Sequence, residues 1–254
     1  MKKVIYTCLT GGYDRLRQPT VTDPSFDYIC FTEHDGQDGV WQLRRIPFDS
    51  PSPVTRSRYP KLQPHELLKD YDWSVFMDAN LQIVDEGFYT LVNDAIDKGT
   101  ELAMLPHPSR DCVWDELRYC YLKDKLSTRE AINHHRHLKQ TGMPRHWGLW
   151  ENNVILRAHN SPEIVALDNL WWRSYNACCQ RDQLSFAPSL YESGIQKPAP
   201  LFGEGLCARN VPFIRYENHP ATGKENTPGR VTWGNIRYRL RLLWRKLVLL
   251  LGLV

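Results

Sequence analysis

Short apolar runs alternate along the chain with longer stretches in which apolar residues recur at helical spacing. β-Branched and aromatic residues dominate the short runs, which predicts strands in the segments KKVIYTCLT, FDYICFT, VWQLRRI, WSVFMD, ELAMLPH and NNVILRA. Helical spacing predicts helices in VTRSRYPKLQPHELL, GFYTLVNDAIDKG, residues 112–141, SPEIVALDNLWWRSYN with Ser161 as its N-cap, and RDQLSFAPSLYES. Strands that alternate with helices predict an α/β sheet whose ligand lies at the carboxyl ends of the strands.

Polar residues directly follow three of these predicted strands. Gly11 and Gly12 follow the first strand, Asp78–Asn80 follow the fourth, and His107 ends the fifth. Because ligands of open α/β sheets bind outside the carboxyl ends of the strands, we expect these residues to contribute to one site.

Asp78 and Asn80 allow two interpretations. An apolar strand that ends in Asp-x-Asp holds a divalent ion against a diphosphate in one large group of enzymes, and carboxylate and amide oxygens both suit Mg²⁺ or Mn²⁺. The neutral Asn80 predicts weaker binding than a second aspartate would give. The same two residue types favour an Asx turn, and the local sequence supports both interpretations about equally.

Two further polar clusters lie later in the chain. Arg181–Gln183 begin a predicted helix, where charged residues are also common for structural reasons alone. His219, Gly223 and Lys224 combine an imidazole, a flexible backbone and a cation, which together suit a metal-bound diphosphate. Their local sequence is equally typical of an exposed polar loop, which is the plainer interpretation.

A basic helix face precedes the Asp78 strand. It either contacts a nucleotide or is simply solvated, and its members are Arg56, Arg58, Lys61 and His65.

Composition places the chain among ordinary soluble proteins. With 254 residues, 42% of them hydrophobic and 24% charged, it can form one large α/β domain. Nine Trp and twelve Tyr give weak support for a carbohydrate or nucleotide site. The seven cysteines are scattered without zinc spacing, and the N-terminus lacks a signal-peptide pattern. These features predict reduced thiols and a cytoplasmic location.

The C-terminal segment 229–254 differs from the rest. It holds six Lys/Arg and no acidic residue, so that the rest of the chain has a net charge of −3. Because the positive charge is confined to this segment, a nucleic-acid partner is not expected. On a helical period Arg237, Arg241 and Arg245 share one face, and the other face is formed by Ile236, Leu240, Leu243, Trp244, Leu247 and Leu251. The apolar run is far shorter than the ~20 residues of a spanning helix. We therefore predict an amphipathic helix on the inner membrane face, with arginines at anionic headgroups. Docking on the protein's own core is the alternative.

Several of these segments together resemble a known family. The segments YTCLTGGYDRL, YICFTE, RSRYPKLQPHELLKDYDWSVFMDANLQI, HPSRDCVWDE, GLWENNVILRAHN and RDQLSF occur in the order seen in the glycosyltransferase-like proteins once catalogued as domain of unknown function 616. The resemblance covers about residues 3 to 220. That family is similar in turn to the retaining glycosyltransferases of family 8, which implies a GT-A-like, Rossmann-like mixed sheet flanked by helices.

The resemblance implies a role for each matching position. It implies that the catalytic pair is Asp182 and Gln183, and that the metal ligands are Asp78, Asn80 and His219. The implied donor-binding residues are Thr10, Gly11, Tyr13, Arg58, Lys61, Asn152, Asn153 and Lys224. The implied acceptor-side residues are His107, Arg110 and Glu116, although Glu116 also suits a helix ion pair.

The sequence thus predicts a glycosyltransferase domain at residues 1–228 and a membrane-associating helix at 229–254. The predicted reaction moves a sugar from a nucleotide-sugar donor to a glycan or lipid-linked glycan acceptor. Retention of configuration is expected by analogy with family 8, and the predicted cofactor is weakly held Mn²⁺ or Mg²⁺. The alternative is a non-catalytic nucleotide- or sugar-binding protein on the same scaffold. A nucleotidyltransferase or hydrolase would leave the helix that begins at Arg181 unexplained.

Overall fold

The computed structural model of the chain describes residues 1–12, 14–217 and 233–254. The strands of this part are β1 Lys3–Cys8, β2 Phe26–Thr32, β3 Gly36–Asp38, β4 Trp41–Arg45, β5 Trp73–Met77, β6 Leu81–Ile83, β7 Leu102–Pro106, β8 Trp150–Arg157, β9 Ala199–Pro200 and β10 Ile214–Tyr216. The helices are α1 Pro53–Leu62, α2 Pro64–Leu67, α3 Gly87–Asp97, α4 Val113–Leu122, α5 Thr128–Gln140, α6 Pro162–Ala177, α7 Asp182–Ser193 and α8 Trp233–Leu250.

Eight strands form one mixed sheet in the order β3-β4-β2-β1-β5-β8-β7-β9, and β10 pairs with β6 in a small second sheet. Strands β2 and β5 both run parallel to β1, whereas β8 is antiparallel to its neighbours β5 and β7. Consequently β1, β2, β5 and β7 end at the same edge of the sheet, and β8 begins there. The predicted α/β class, with a mixed sheet flanked by helices and a C-terminal helix, is confirmed.

Strand β8 is irregular at this edge. Its pairing with β7 passes from Met104 opposite Ile155 to Leu105 opposite Glu151, so that residues 152–154 have no register partner in β7. Such bulges bend a strand and redirect its side chains, and they are frequent beside active sites. The bulge contains Asn152 and Asn153, both predicted to bind the donor.

The sheet separates two apolar layers. Side chains alternate along each strand, so that Val4 and Tyr6 enter one layer and Ile5 enters the other. Helices α4 to α7 cover the first layer, in which Trp171 is fully buried. Helix α3 covers the second layer, where Phe88 is likewise buried.

Three local predictions differ from the structure. The segment 112–141 forms two helices rather than one, because Asp124 adopts a left-handed conformation with φ of 60° and Ser127 starts α5 with a capping box to Glu130. The helix predicted over VTRSRYPKLQPHELL continues through Pro60 but is divided at Gln63, because α1 ends at Leu62 and α2 begins at Pro64. Ser161 is the N-cap residue of α6, as predicted, but its side chain makes no capping hydrogen bond.

The C-terminal helix α8 packs against α4 through its basic side. Arg245 is buried and donates to the Tyr121 carbonyl and to Asp124, and Arg241 also pairs with Asp124. Val248 enters the apolar layer beside α4. These two arginines therefore bind the protein itself, which departs from the prediction that they face lipid headgroups. None of the helices in the described part of the chain is long and apolar enough to cross a membrane.

Candidate active site

Asp182 is the centre of a charged cluster at the start of α7. Its Oδ2 lies 2.5 Å from the Lys61 Nζ and 3.6 Å from the Arg58 Nε. Both cations come from α1, which presents them three residues apart on one face. The Asp182 backbone carbonyl accepts from the Trp171 indole at 2.9 Å, which anchors the start of α7 against α6.

The charge state of Asp182 follows from these neighbours. Burial by itself would raise the pKa of Asp182, but the positive charges of Arg58 and Lys61 outweigh burial and hold this pKa well below its usual value. In turn, the Asp182 charge raises the pKa of Arg58. The carboxylate is therefore ionised at neutral pH while being only 14% exposed.

Lys61 is held in place from behind by a buried polar network. Arg157 donates to the Lys61 carbonyl at 2.7 Å, to the Tyr6 hydroxyl at 2.6 Å and to Asp168 at 2.8 Å. All of these groups lie in the interior, so that each hydrogen bond restrains the backbone from which the Lys61 side chain extends. Sequence reasoning missed Arg157 and Asp168, since a strand arginine and a helix aspartate carry no local signal of pairing.

Asp78 follows β5 and lies close to the same lysine. Its Oδ1 is 3.6 Å from the Lys61 Nζ, and its side chain is 36% exposed. The backbone around it forms a turn, because the Leu81 N–H donates to the Asp78 carbonyl at 3.0 Å. The turn and the candidate ligand thus coexist, since the turn uses the backbone and leaves the Asp78 carboxylate at the sheet edge.

Asn80 has a structural partner of its own. Its amide nitrogen donates to the Glu217 carbonyl at 2.8 Å, and the Glu217 N–H donates to the Asn80 carbonyl at 3.1 Å. These bonds extend the pairing of β6 with β10. An aspartate could not make the first of them, which gives a physical reason for asparagine at this position.

Asn152 and Asn153 occupy the bulge of β8. Both amide atoms of Asn152 and the amide oxygen of Asn153 are buried without a hydrogen-bond partner among the described residues. Buried polar groups are almost always paired, so unpaired ones call for a specific explanation such as a bound ligand. Asn153 also accepts the Asp78 N–H through its backbone carbonyl at 2.9 Å, which places the bulge beside the end of β5.

The other half of the predicted catalytic pair joins the same edge. The Gln183 amide donates to the Trp150 carbonyl at the start of β8, over 3.2 Å. This bond connects α7 to the strand that carries the bulge, so that Asp182, Gln183 and Asn152 belong to adjoining elements. The structure therefore brings together residues from α1, β5, β8 and α7 that the sequence had only suggested separately.

The loop after β1 forms a neighbouring part of this edge. Thr10 donates to the Pro53 carbonyl at 3.0 Å, and the Gly11 N–H donates to the Glu33 carboxylate at 2.7 Å. Gly11 has a φ of 65°, which glycine adopts without strain. Glu33 lines a cavity of about 260 Å³ with Arg45 and neighbouring residues. Sequence reasoning did not single out Glu33.

The predicted acceptor-side residues form one compact cluster after β7. Arg110 donates to the Glu116 carboxylate at 2.5 Å, and the His107 Nδ1 accepts the Arg110 N–H at 3.0 Å. Glu116 is buried and also accepts from the Cys120 thiol at 3.0 Å. Burial lowers the pKa of His107, which favours its neutral form. Glu116 thus makes the ion pair that was its alternative role, and its carboxylate is occupied by Arg110.

One further carboxylate near Asp78 escaped the sequence analysis. Glu151 precedes the bulge, and its Oε2 accepts the Ala208 N–H at 2.9 Å. Burial raises the pKa of Glu151, and the charge of Asp78 adds to that effect. Its position next to Asn152 was the only signal in the sequence. Four predicted residues lie outside the described residues, namely Tyr13, His219, Gly223 and Lys224.

The arrangement can stabilise separated charges. The Asp182 carboxylate can oppose positive charge on a reacting sugar, while Lys61 and Arg58 can oppose negative charge on a phosphate. Because these groups are fixed in a largely buried setting, their fields act with little screening by water.

Comparisons with known proteins bear on the family. A comparison with curated proteins returns no match. Among solved structures, the bifunctional glycosyltransferase WbbM is 10% identical with a TM-score of 0.42, over 78% of this chain and 38% of that one. Mouse xyloside xylosyltransferase 1 is 10% identical with a TM-score of 0.41, over 74% and 81% of the two chains. Core-mannan synthase A from Aspergillus fumigatus, in its Mn/GDP form, is 10% identical with a TM-score of 0.43, over 75% and 69%. Likeness this weak says nothing about activity.

A family model gives the clearer result. The model described as "TOD1/MUCI70, glycosyltransferase-like domain" matches residues 32–202, which is more than half of the chain. The matched range includes α1, β5, the bulge of β8 and the start of α7. The prediction of a glycosyltransferase-like family is thereby confirmed at this level, whereas the likeness to family 8 stays a prediction. The chain belongs to the TOD1/MUCI70 family of glycosyltransferase-like domains.

Proposed function

We propose that the protein transfers a sugar from a nucleotide-sugar donor to a glycan or lipid-linked glycan acceptor, on a GT-A-like scaffold. The observation that carries this proposal is the ionised Asp182 carboxylate held against Lys61 and Arg58 beside Gln183. Departure of a nucleoside diphosphate builds positive charge on the sugar and negative charge on phosphate. The cluster offers fixed charges of both signs for that separation.

Asp182 and Gln183 are proposed to face the anomeric carbon. The Asp182 carboxylate would stabilise the oxocarbenium-like sugar. The Gln183 amide, which donates a hydrogen bond to the Trp150 carbonyl, would orient that sugar. Lys61 and Arg58 would take up the charge of the leaving diphosphate. Retention of configuration rests on the likeness to family 8, and NMR of the anomeric product is the measurement that distinguishes it from inversion.

The donor atoms at the end of β5 suit a weakly held divalent ion. Asp78 offers its carboxylate, and Asn80 offers its amide oxygen because only its nitrogen is used in the bond to Glu217. We propose that these two residues, with His219, hold Mn²⁺ or Mg²⁺, two oxygen-preferring ions. Such an ion would add positive charge at the diphosphate. The Lys61 ammonium 3.6 Å from Asp78 already supplies part of that charge, which favours weak metal binding.

The donor and acceptor are proposed to meet over the start of β8. Asn152 would bind donor hydroxyls with both atoms of its unpartnered amide, and Asn153 with its unpartnered amide oxygen. Neutral His107 lies at the end of β7, on the other side of β8, with Arg110 and Glu116 behind it. We propose that this face receives the acceptor.

Calorimetry with a panel of nucleoside diphosphates, with and without Mn²⁺, tests the donor proposal. We expect one nucleoside diphosphate to bind and Asp182→Asn to abolish sugar transfer while leaving nucleotide binding within about threefold, because its carboxylate acts on the sugar. Absence of nucleotide binding would refute the proposal. Nucleotide binding without turnover of any donor would instead support a non-catalytic binding protein.

The C-terminal helix is proposed to hold the enzyme on a membrane surface. Its side toward the protein carries Arg241 and Arg245, bound to Asp124, together with the buried Val248, and most of its leucines face outward. The exposed apolar residues of α8 and the residues after it are Leu240, Leu243, Trp244, Leu247, Leu250, Leu251 and Leu253. An exposed stripe of leucines with a tryptophan suits the boundary between headgroups and acyl chains.

Liposome flotation tests this orientation. We expect the full chain to float with vesicles and the double variant Leu243→Glu, Leu247→Glu to remain in solution, with an unchanged melting temperature because both side chains are exposed. The matched control is Lys246→Glu, an exposed change on the same helix outside the apolar set. Equal flotation of the double variant and the wild type would refute the anchor.

A further inference from the structure

We propose a second metal site, outside the transfer site, formed by Cys112, Asp115 and His146. One ligand atom from each residue lies within 4.8 Å of the other two. Among the described residues, no other group of three or more His, Cys, Asp or Glu ligand atoms lies this close together. It goes beyond the proposed transfer reaction and uses none of that reaction's residues.

The three ligands come from the start of α4 and from the loop before β8. Cys112 is the N-cap residue of α4, and Asp115 lies in the first turn of that helix. His146 belongs to the loop before β8, and it adopts a left-handed conformation with φ of 55°. The Gly148 N–H donates to the Asp111 carbonyl at 2.9 Å, which brings this loop against the start of α4. This backbone contact holds the two segments that carry the ligands close together.

The donor set indicates the kind of metal. A thiolate and an imidazole select zinc or another late first-row transition metal, and a carboxylate completes a three-ligand set that leaves one position for water. This chemistry differs from the site proposed at Asp78, which contains no thiolate. Tetrahedral zinc needs its ligand atoms about 3.5 Å apart. The side chains of His146 and Asp115 are 62% and 43% exposed, so that rotation can close the remaining gap.

Asp111 supplies an orienting partner for the histidine. Its Oδ1 lies 2.8 Å from the His146 Nδ1. A carboxylate that accepts from one ring nitrogen of a histidine commonly directs the other nitrogen to a metal. In the proposed site Nδ1 carries the proton and Nε2 binds the ion.

Arg145 is the competing charge at this site. Its Nη1 lies 3.9 Å from the Asp115 Oδ1, and it also lies over the Trp114 ring. Both side chains of the ion pair are about half exposed, so that the pair itself is weak. A bound ion would displace Arg145 from Asp115, and removal of Arg145 should strengthen metal binding.

The site would join the loop that follows β7 to the loop that precedes β8. The first loop contains His107 and Arg110, and the second leads into Glu151 and the bulge. Binding of an ion to the folded chain alone would stabilise it. The metal is thus proposed as a structural link beneath the acceptor face.

Cobalt titration of the full chain after chelator treatment tests the site. Co²⁺ bound to a thiolate gives a charge-transfer absorption band, which reports the cysteine directly. We expect one Co²⁺ per chain, displaced by Zn²⁺, with the band lost in Cys112→Ser. We expect His146→Ala to weaken binding at least tenfold and Asp111→Asn about tenfold, as for other orienting carboxylates. Arg145→Ala should tighten binding.

Matched variants separate this site from others. Cys178→Ser changes another free cysteine and His34→Ala another exposed histidine, and both should leave the band unchanged. Asp78→Ala should also leave it unchanged, which distinguishes this site from the proposed Mn²⁺ or Mg²⁺ site. Absence of a thiolate band in the wild type, or a band that survives both Cys112→Ser and the surface variant His146→Ala, would overturn the proposal.

Discussion

The Lys61 ammonium donates to the Asp182 carboxylate at 2.5 Å, across 121 residues of sequence. The pair joins the end of α1 to the first residue of α7, and the lysine side chain is only 2% exposed. Breaking a buried ion pair from one side leaves the other charge without compensation. The same contact therefore bears on stability and on the proposed chemistry, which allows the two to be tested together.

Lys61→Met should impair both folding and transfer. Loss of the ammonium leaves Asp182 with Arg58 alone, and we expect the free energy of unfolding at pH 7 to fall by about 3 kcal/mol. Transfer should fall by about 100-fold or more in kcat/KM, since the diphosphate loses a fixed positive charge. Denaturant unfolding and initial-rate kinetics measure these effects. Lys61→Arg, which keeps the charge, is the control. Transfer within twofold of wild type in Lys61→Met would contradict the assigned role.

The contribution of Asp182 to stability should depend on pH with a defined sign. Its pKa is lower in the folded chain than the value of about 3.9 in the unfolded chain. Its stabilising effect is therefore complete above about pH 5 and is lost as the pH falls through and below the unfolded value. The difference in unfolding free energy between wild type and Asp182→Asn should shrink between pH 5 and pH 3 in urea titrations. A difference that is constant or grows over that range would show that the ion pairs do not set this pKa.

Asn152→Ala should reduce donor binding with little effect on folding. The amide of Asn152 is buried and makes no hydrogen bond to the described residues, so its removal should change stability by less than about 1 kcal/mol. Donor affinity should fall about tenfold, as expected for one lost hydrogen bond in a site. Calorimetry and thermal unfolding measure the two effects.

Asn160 provides a matched control for that prediction. Its amide donates to the Lys69 and Tyr71 carbonyls at 3.2 and 2.9 Å, away from the β8 bulge. Asn160→Ala should lower stability by about 1 kcal/mol and leave donor affinity unchanged. The opposite pattern, with Asn152→Ala destabilised and donor affinity intact, would mean that the Asn152 amide has only a structural role.

Asn80→Asp should trade stability for metal affinity. The new carboxylate can no longer donate to the Glu217 carbonyl, and the two oxygens would repel each other, so we expect a loss of about 1–3 kcal/mol. A second carboxylate next to Asp78 should tighten Mn²⁺ binding. Mn²⁺ titration and thermal unfolding check both effects, with Asn80→Ala as the variant that loses the bond without gaining a charge. Unchanged Mn²⁺ affinity in Asn80→Asp would argue against a metal at this turn.

Local sequence was sufficient for most elements of the fold. Strands β1, β2 and β5 are runs of β-branched and aromatic residues, and burial on both faces of the sheet explains why such runs are continuous. The break between α4 and α5 was missed although its signal was present, since Ser127 and Glu130 have capping-box spacing. The short strands β3 and β9 depend on pairing with a neighbour and had no such signal.

In the candidate site, what the sequence predicts and what it does not predict are separated more sharply. Asp78 was identifiable because it directly follows an apolar strand, where ligands of α/β sheets bind, and Asp182 because the segment RDQLSF at the start of a predicted helix resembles the family. The contacts of these residues were not identifiable from the sequence. Lys61 contacts Asp182 only because α1 and α7 pack on the same face of the sheet, and Arg157 of β8 donates a hydrogen bond to the Lys61 carbonyl.

The sequence by itself determined the order of strands and helices, the polar residues at the strand ends and the amphipathic character of the C-terminal helix. Hydrophobic period and side-chain chemistry are local properties, which is why they can be read without a structure. Tertiary structure alone decided which charges neighbour Asp182, that Asn80 bonds Glu217, and that α8 turns Arg241 and Arg245 inward to Asp124. Those relationships depend on distances between segments far apart in the chain, and only packing around the sheet sets those distances.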